Sequence, residues 1–112
     1  MKTVDDLRPR KVRILGREFT IKYTEDTPEL GLCDTVDCEI TIQEDQHPVE
    51  MADTLLHEIF HGIFYLMDVG LSSEQEEFVV RKLATGFTQV LMDNPHLLTY
   101  LANAGPPPTR RR

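Results

Sequence analysis

Residues 48–67 read PVEMADTLLHEIFHGIFYLM, and the period of this run decides the architecture. Apolar residues fall at Leu55, Leu56, Ile59, Phe60, Ile63, Phe64 and Met67, the three-and-four spacing of a helix with a broad buried face. Pro48 suits the first helical position, Glu50 the first turn, and Gly70 the stop. Inside the run stands His57-Glu58-Ile59-Phe60-His61, an H-E-x-x-H pattern. On a helix the two imidazoles share a face about 6 Å apart along the axis, so both can reach one ion at about 2.0–2.1 Å. Glu58 is directed beside such an ion, where it can take a proton from an activated water. A shuffle of the same residues gives the pattern only about 1% of the time. An accidental polar face would also sit oddly in the most apolar part of the chain, because buried polar groups without partners are costly.

A catalytic zinc site needs three protein ligands and an open position, so a third ligand is expected downstream. Ser73 to Glu76 spells S-x-x-E, a capping box that opens a second helix, with Val80, Leu83, Phe87, Val90 and Leu91 as its apolar stripe. Glu74, Glu76 and Glu77 stand at its head. Glu74 reads as solvent-exposed. Glu76 is in phase with the stripe but is expected to serve the cap. Glu77 lies at the stripe's edge, which suits a group reaching a partly open metal, and ranks first. Asn94-Pro95 ends this helix and starts a short third one, docked by Leu97, Leu98 and Leu101. Gly62 and Gly86 are unusual inside helices, and close approach of the two helices would explain both. Arg81 reads as solvated, and Asp53 as an exposed carboxylate or a support for an imidazole.

Upstream, residues 11–23 alternate through Val12, Ile14, Phe19, Ile21 and Tyr23 around Gly16, which predicts a β-hairpin. Residues 24–38 read as a loop, and EITIQ, residues 39–43, as a short edge strand. The expectation is an α+β chain: a three-stranded sheet, hairpin plus edge strand, packed on the H-E-x-x-H helix, with a glutamate-bearing helix and a short last helix. Residues 1–104 form a single domain in this reading, and residues 105–112, GPPPTRRR, a disordered tail.

The 112 residues are 40% hydrophobic and 28% charged, the composition of one globular domain. Net charge is −7, and the body is more acidic still without Arg110, Arg111 and Arg112, which argues against nucleic acid as a partner. With no long apolar run and no signal-like start, neither a membrane nor export is expected, and the cytoplasm is the expected compartment. Cys33 and Cys38 are too few for a disulfide framework and read as free thiols, with metal ligation as the alternative.

HEIFH, followed by Glu77 and FVVRKLATGFTQVLMDNP, resembles the zincin metallopeptidases whose third ligand is a glutamate on a second helix, the gluzincins. It looks most like their smallest versions, the short zincin-like phage and prophage proteins, and more loosely the ImmA/IrrE-type peptidases. The resemblance covers roughly residues 11–100. It implies a minimal zincin-like fold and a zinc metallopeptidase, with His57, His61 and Glu77 as Zn2+ ligands and Glu58 as general base. The substrate is then a peptide or protein, held along the edge strand at Ile40 and Ile42. Oxyanion stabilisation is also required, and His47, His96 and Tyr100 are the suggestive residues, each with a simpler structural reading. The alternative is a non-catalytic module stapled by zinc, its fourth ligand drawn from Cys33, Cys38, His47 or His96. In that reading Glu58 has no purpose.

Overall fold

The computed structural model describes residues 3–106. It is an α+β chain with one four-stranded mixed sheet and three helices, preceded by a 3-10 turn at Asp5–Leu7. Strands β1 (Lys11–Ile14) and β2 (Arg17–Thr24) form the expected hairpin, Ile14 opposite Arg17. Its two-residue turn, Leu15 and Gly16, has positive φ at both positions (48° and 86°), as a turn matching the strand twist requires.

The sheet departs from the expectation of three strands. Residues read as loop contain β3 (Gly31–Asp34), which pairs antiparallel with β4 (Glu39–Gln43). The Asp34 carboxylate accepts from the backbone N–H groups of Val36 and Asp37, closing the turn between them. β4 also pairs with β2, in parallel, so the order is β1-β2-β4-β3. β4 is therefore internal, with Ile40 and Ile42 fully buried, and the edge on that side is β3.

Helix α1 (Pro48–Leu66) begins where His47 Nδ1 accepts from the Val49 backbone N–H at 3.3 Å, with Pro48 in the first turn. It lies across the sheet. Ile14, Phe19, Ile21, Ile40, Ile42 and Met51 form the core, and Leu55, Ile59, Ile63 and Leu66 of α1 pack against it. Beyond Leu66 the chain turns through Asp68 and Gly70, both at positive φ. Helix α2 (Ser73–Asp93) is capped one residue earlier than the sequence suggested. Ser72 is the N-cap, and its reciprocal partner is Gln75, not Glu76. α2 buries Val80, Ala84 and Thr88 and packs on α1. Helix α3 (Pro95–Ala102) starts at Asn94 as expected but docks poorly: it buries no residue, and Leu98 and Leu101 are about half exposed. Of the expected disordered tail, only Gly105 and Pro106 are among the described residues; 107–112 lie outside them.

The two helical glycines have different reasons, and neither is helix–helix contact. A Cβ on Gly62 would lie 2.9 Å from Ile14 Cδ1 and 3.7 Å from Cys33 Sγ, so this glycine lets α1 settle onto the sheet. A Cβ on Gly86 would meet nothing within 4 Å. Gly86→Ala should therefore stabilise the fold by about 0.5–1 kcal/mol through helix propensity alone. Gly62→Ala gains the same propensity but must displace a packed core side chain, and should destabilise by about 1 kcal/mol. Urea unfolding of the two variants checks this; equal responses would mean that α1 does not lie on the sheet as described.

Candidate metal centre

Consecutive helical residues point about 100° apart, so His57 and Glu58 face different neighbours. His57 and His61, one turn apart, look toward α2 with ring centroids 4.9 Å from each other. α2 runs antiparallel to α1: Thr85 Oγ1 donates to Asp53 Oδ2 at 2.9 Å near the start of α1, and Glu77 meets both histidines further along. Asp53 thus ties the two helices together rather than supporting an imidazole. Glu77 Oε1 lies 2.7 Å from His57 Nε2, and Glu77 Oε2 lies 3.0 Å from His61 Nε2. The candidate ligand atoms of His57, His61 and Glu77 all fall within 4.8 Å of one another, a group that could hold a metal ion.

Glu76 does something the sequence hid. With Gln75 serving the cap, its carboxylate is free, and Oε2 sits 2.7 Å from His61 Nδ1. An Nδ1–H donating to that carboxylate leaves Nε2 of the same ring free for a cation, the arrangement that orients and polarises a metal-binding imidazole. The duplicated Ser72-Ser73 and Gln75-Glu76 offered two overlapping capping boxes, and the wrong one occupied Glu76. Glu74 is exposed, as read.

Glu58 faces the sheet side. It is 7% exposed, and Gly31 of β3 is pressed against it: a Cβ there would lie 2.7 Å from Thr54 Cγ2 and 2.9 Å from Glu58 Oε2. Burial pushes its carboxyl up from 4.5 to about 7; His61 opposes this, while the negative charges of Glu77 and Glu29 add to it. Glu58 and the three-residue group open on one cleft of about 860 Å3 between β3 and α2, with Cys33, Thr35, Tyr65 and Arg81 also on its walls. Burial, and next the Glu58 charge, push the Cys33 thiol up to about 12. Both cysteines are free, and neither belongs to the metal group. His47 caps α1, while His96 and Tyr100 are exposed on α3; none of the three lines the cleft. Arg81, read as solvated, is exposed on the cleft wall. Among the described residues, no helix is long and apolar enough to cross a membrane.

Comparison of the chain with models of protein families, with curated proteins and with solved structures gives no match.

The Glu58 environment has a measurable sign. Its folded pKa is raised, so its contribution to stability is complete below 4.5 and is lost as pH rises through about 7. Between pH 4 and pH 8 the metal-free wild type should lose about 1–3 kcal/mol more stability than metal-free Glu58→Gln, which cannot ionise there. Denaturant unfolding at the two pH values, with chelator present, measures this. Parallel pH profiles would show that Glu58 is not held in a desolvated site.

Proposed function

We propose that this chain is a small zinc-dependent peptidase of the zincin kind, with His57, His61 and Glu77 as ligands and Glu58 as general base. One observation carries the reading: the Nε2 atoms of two histidines one turn apart converge on a single carboxylate, with a buried glutamate opening on the same cleft. The donor set fits zinc, being two imidazoles and one carboxylate with no further His, Cys, Asp or Glu gathered into the group among the described residues. That supports three ligands and an open position rather than a closed structural site. When bound, zinc supplies Lewis-acid polarisation of a substrate carbonyl and of water.

The residues divide the remaining work. Glu77 and the imidazoles fix the position of the ion, and Glu76 holds the His61 ring in the tautomer that presents Nε2. Glu58 accepts a proton from the attacking water as the C–O bond forms. It returns that proton to the amide nitrogen as the C–N bond breaks, releasing an amine and a carboxylic acid, which then ionises to carboxylate. Its raised pKa suits a group that must both take and give a proton near neutrality. The substrate rail is β3, not the strand of Ile40 and Ile42. Because Leu30 O accepts from Gln43 N, ladder alternation turns the backbone groups of Gly31 and Cys33 outward along the open edge, where an extended peptide can add.

A zinc staple without catalysis is the second reading. It is favoured by the packing of α2, which rests on α1 and α3 and makes no substantial contact with the sheet. The two readings share the metal and differ over Glu58. Glu58→Gln should keep one zinc per chain and lose all peptide hydrolysis; unchanged hydrolysis would remove Glu58 from the mechanism. Glu77→Ala should lose stoichiometric zinc, while Glu76→Gln should weaken it about 10–100-fold. Zinc titration against a chelating dye, with a quenched-peptide assay, separates these outcomes. A wild type that binds zinc and cleaves no peptide in a broad library would favour the staple.

A further inference from the structure

The strand order separates charge. Arg8, Arg10, Lys11, Arg13, Arg17 and Lys22 all belong to β1, β2 and the chain entering them. From residue 23 to residue 80 there is no lysine or arginine, and most of the acidic residues fall in that stretch. Since β1 and β3 are opposite edges of the sheet, the cations gather at one edge and the cleft opens at the other. Lys11 and Lys22 are also engaged by Glu18 and Glu39.

Within the cleft the charge is uneven along its length. β3 runs beside α1 in the same direction, Gly31 against Thr54 and Glu58 and Cys33 near Gly62. Glu29, Glu50 and Asp53 therefore line the end nearer the start of α1, Glu76 and Glu77 are engaged with the two histidines further along, and Cys33, Thr35 and Tyr65 line the other end. Among the described residues, Arg81 is the sole lysine or arginine on the wall. Glu58, 7% exposed, has no hydrogen-bond partner among the described residues and opens on the same cleft, so its carboxyl can be met only from the cleft side. Exposed carboxylates act weakly one by one and are screened by salt, but like charges lining a concave wall sum into a field that draws cations.

We infer that the cleft takes cationic polypeptide, with lysine or arginine side chains seated at the Glu29, Glu50 and Asp53 end. This rests on the peptidase reading of the cleft and goes beyond it in naming the substrate class. A chain laid antiparallel to β3 carries its later residues toward that end, so the preference falls on side chains following the point of attack.

The test is peptide binding to zinc-loaded Glu58→Gln by fluorescence anisotropy, with peptides that differ only in a lysine, glutamine or glutamate pair. The zinc-free wild type is run in parallel, so that the comparison survives any folding defect of the variant. The lysine peptide should bind about tenfold more tightly than the glutamine peptide at low salt, and the advantage should vanish at about 0.5 M salt. Adding Glu29→Gln and Glu50→Gln should cut it to about twofold. Adding Glu25→Gln and Asp26→Gln, the same charge change outside the cleft, should leave it intact. Equal binding of lysine and glutamine peptides, or an equal loss from the outside pair, overturns the proposal. Charge-selective binding with no cleavage by wild type sinks the peptidase reading alone. Cleavage without charge preference sinks this proposal alone, and no binding of any peptide sinks both.

Discussion

The meeting of α1 and α2 at Glu77 is the constraint on which the arrangement depends. Two imidazoles and two carboxylates are linked by three contacts of 3.0 Å or less at the junction of two helices. Polar groups at such a junction weaken helix packing unless they satisfy one another or a common ion. Glu77 spans both Nε2 atoms and Glu76 meets the remaining nitrogen of His61; with the His61 Nδ1–H given to Glu76, the Nε2 lone pair faces Glu77, and only a proton or a shared cation makes that contact complementary. The neighbouring turns are correspondingly plain, with small Ala84 and Thr88 buried against α1 and the Thr88 hydroxyl returned to its own helix at Ala84 O. The helices are thus free to settle at the separation the polar group sets.

Glu58 is placed by a second constraint, imposed from the sheet. The residue after a helix-facing histidine must point about 100° away, and on this chain that direction meets β3. Only a residue without a side chain leaves room there, and Gly31 is that residue. The same contact desolvates the carboxyl and holds it beside the open edge of the sheet. The parallel pairing of β4 with β2 matters for this reason: it pushes β3 outward to become the edge.

What could be read in the sequence was what local periodicity encodes. The hairpin, α1, α2 and the start of α3 each carry their own pattern of apolar spacing, caps and turn residues. β3 carries none. GLCD has a glycine, an aspartate and one exposed leucine, with turn-forming residues on both sides, so nothing local distinguishes it from loop. The parallel partner of β4 was equally illegible, because pairing across some twenty residues leaves no local mark. Alternation in EITIQ gives the buried face but not the number of neighbours. At the candidate metal group, the shared face of His57 and His61 was legible from helical phase, whereas phase alone points to Glu76, and Glu77 ranks first by its place at the edge of the stripe. The contact of Glu76 was not legible, since two overlapping capping boxes differ by a single residue and by little energy. Gly62 was legible as a close approach but not to what, for the helix pattern does not say that the sheet lies under that turn.

The packing also ties the proposed ion to the stability of one layer in particular. The sheet and α1 share a continuous apolar core, whereas α2 is held to α1 by a narrow strip and α3 by less. Phe87 touches Phe60 edge-on but, with Leu83 and Val90, stays about two-fifths exposed, so this layer gains little from apolar burial. An ion shared by His57, His61 and Glu77 is bound only when α1 and α2 are docked, so its binding free energy adds to the docking free energy by mass action. The sheet and the first turns of α1 receive none of that benefit directly. The helical layer is accordingly the part whose opening should respond to metal, and that layer carries Glu77 and the α2 wall of the cleft. Catalysis would not exclude a stapling effect of the ion: the contact that would activate the cleft is also the one that docks α2 on α1.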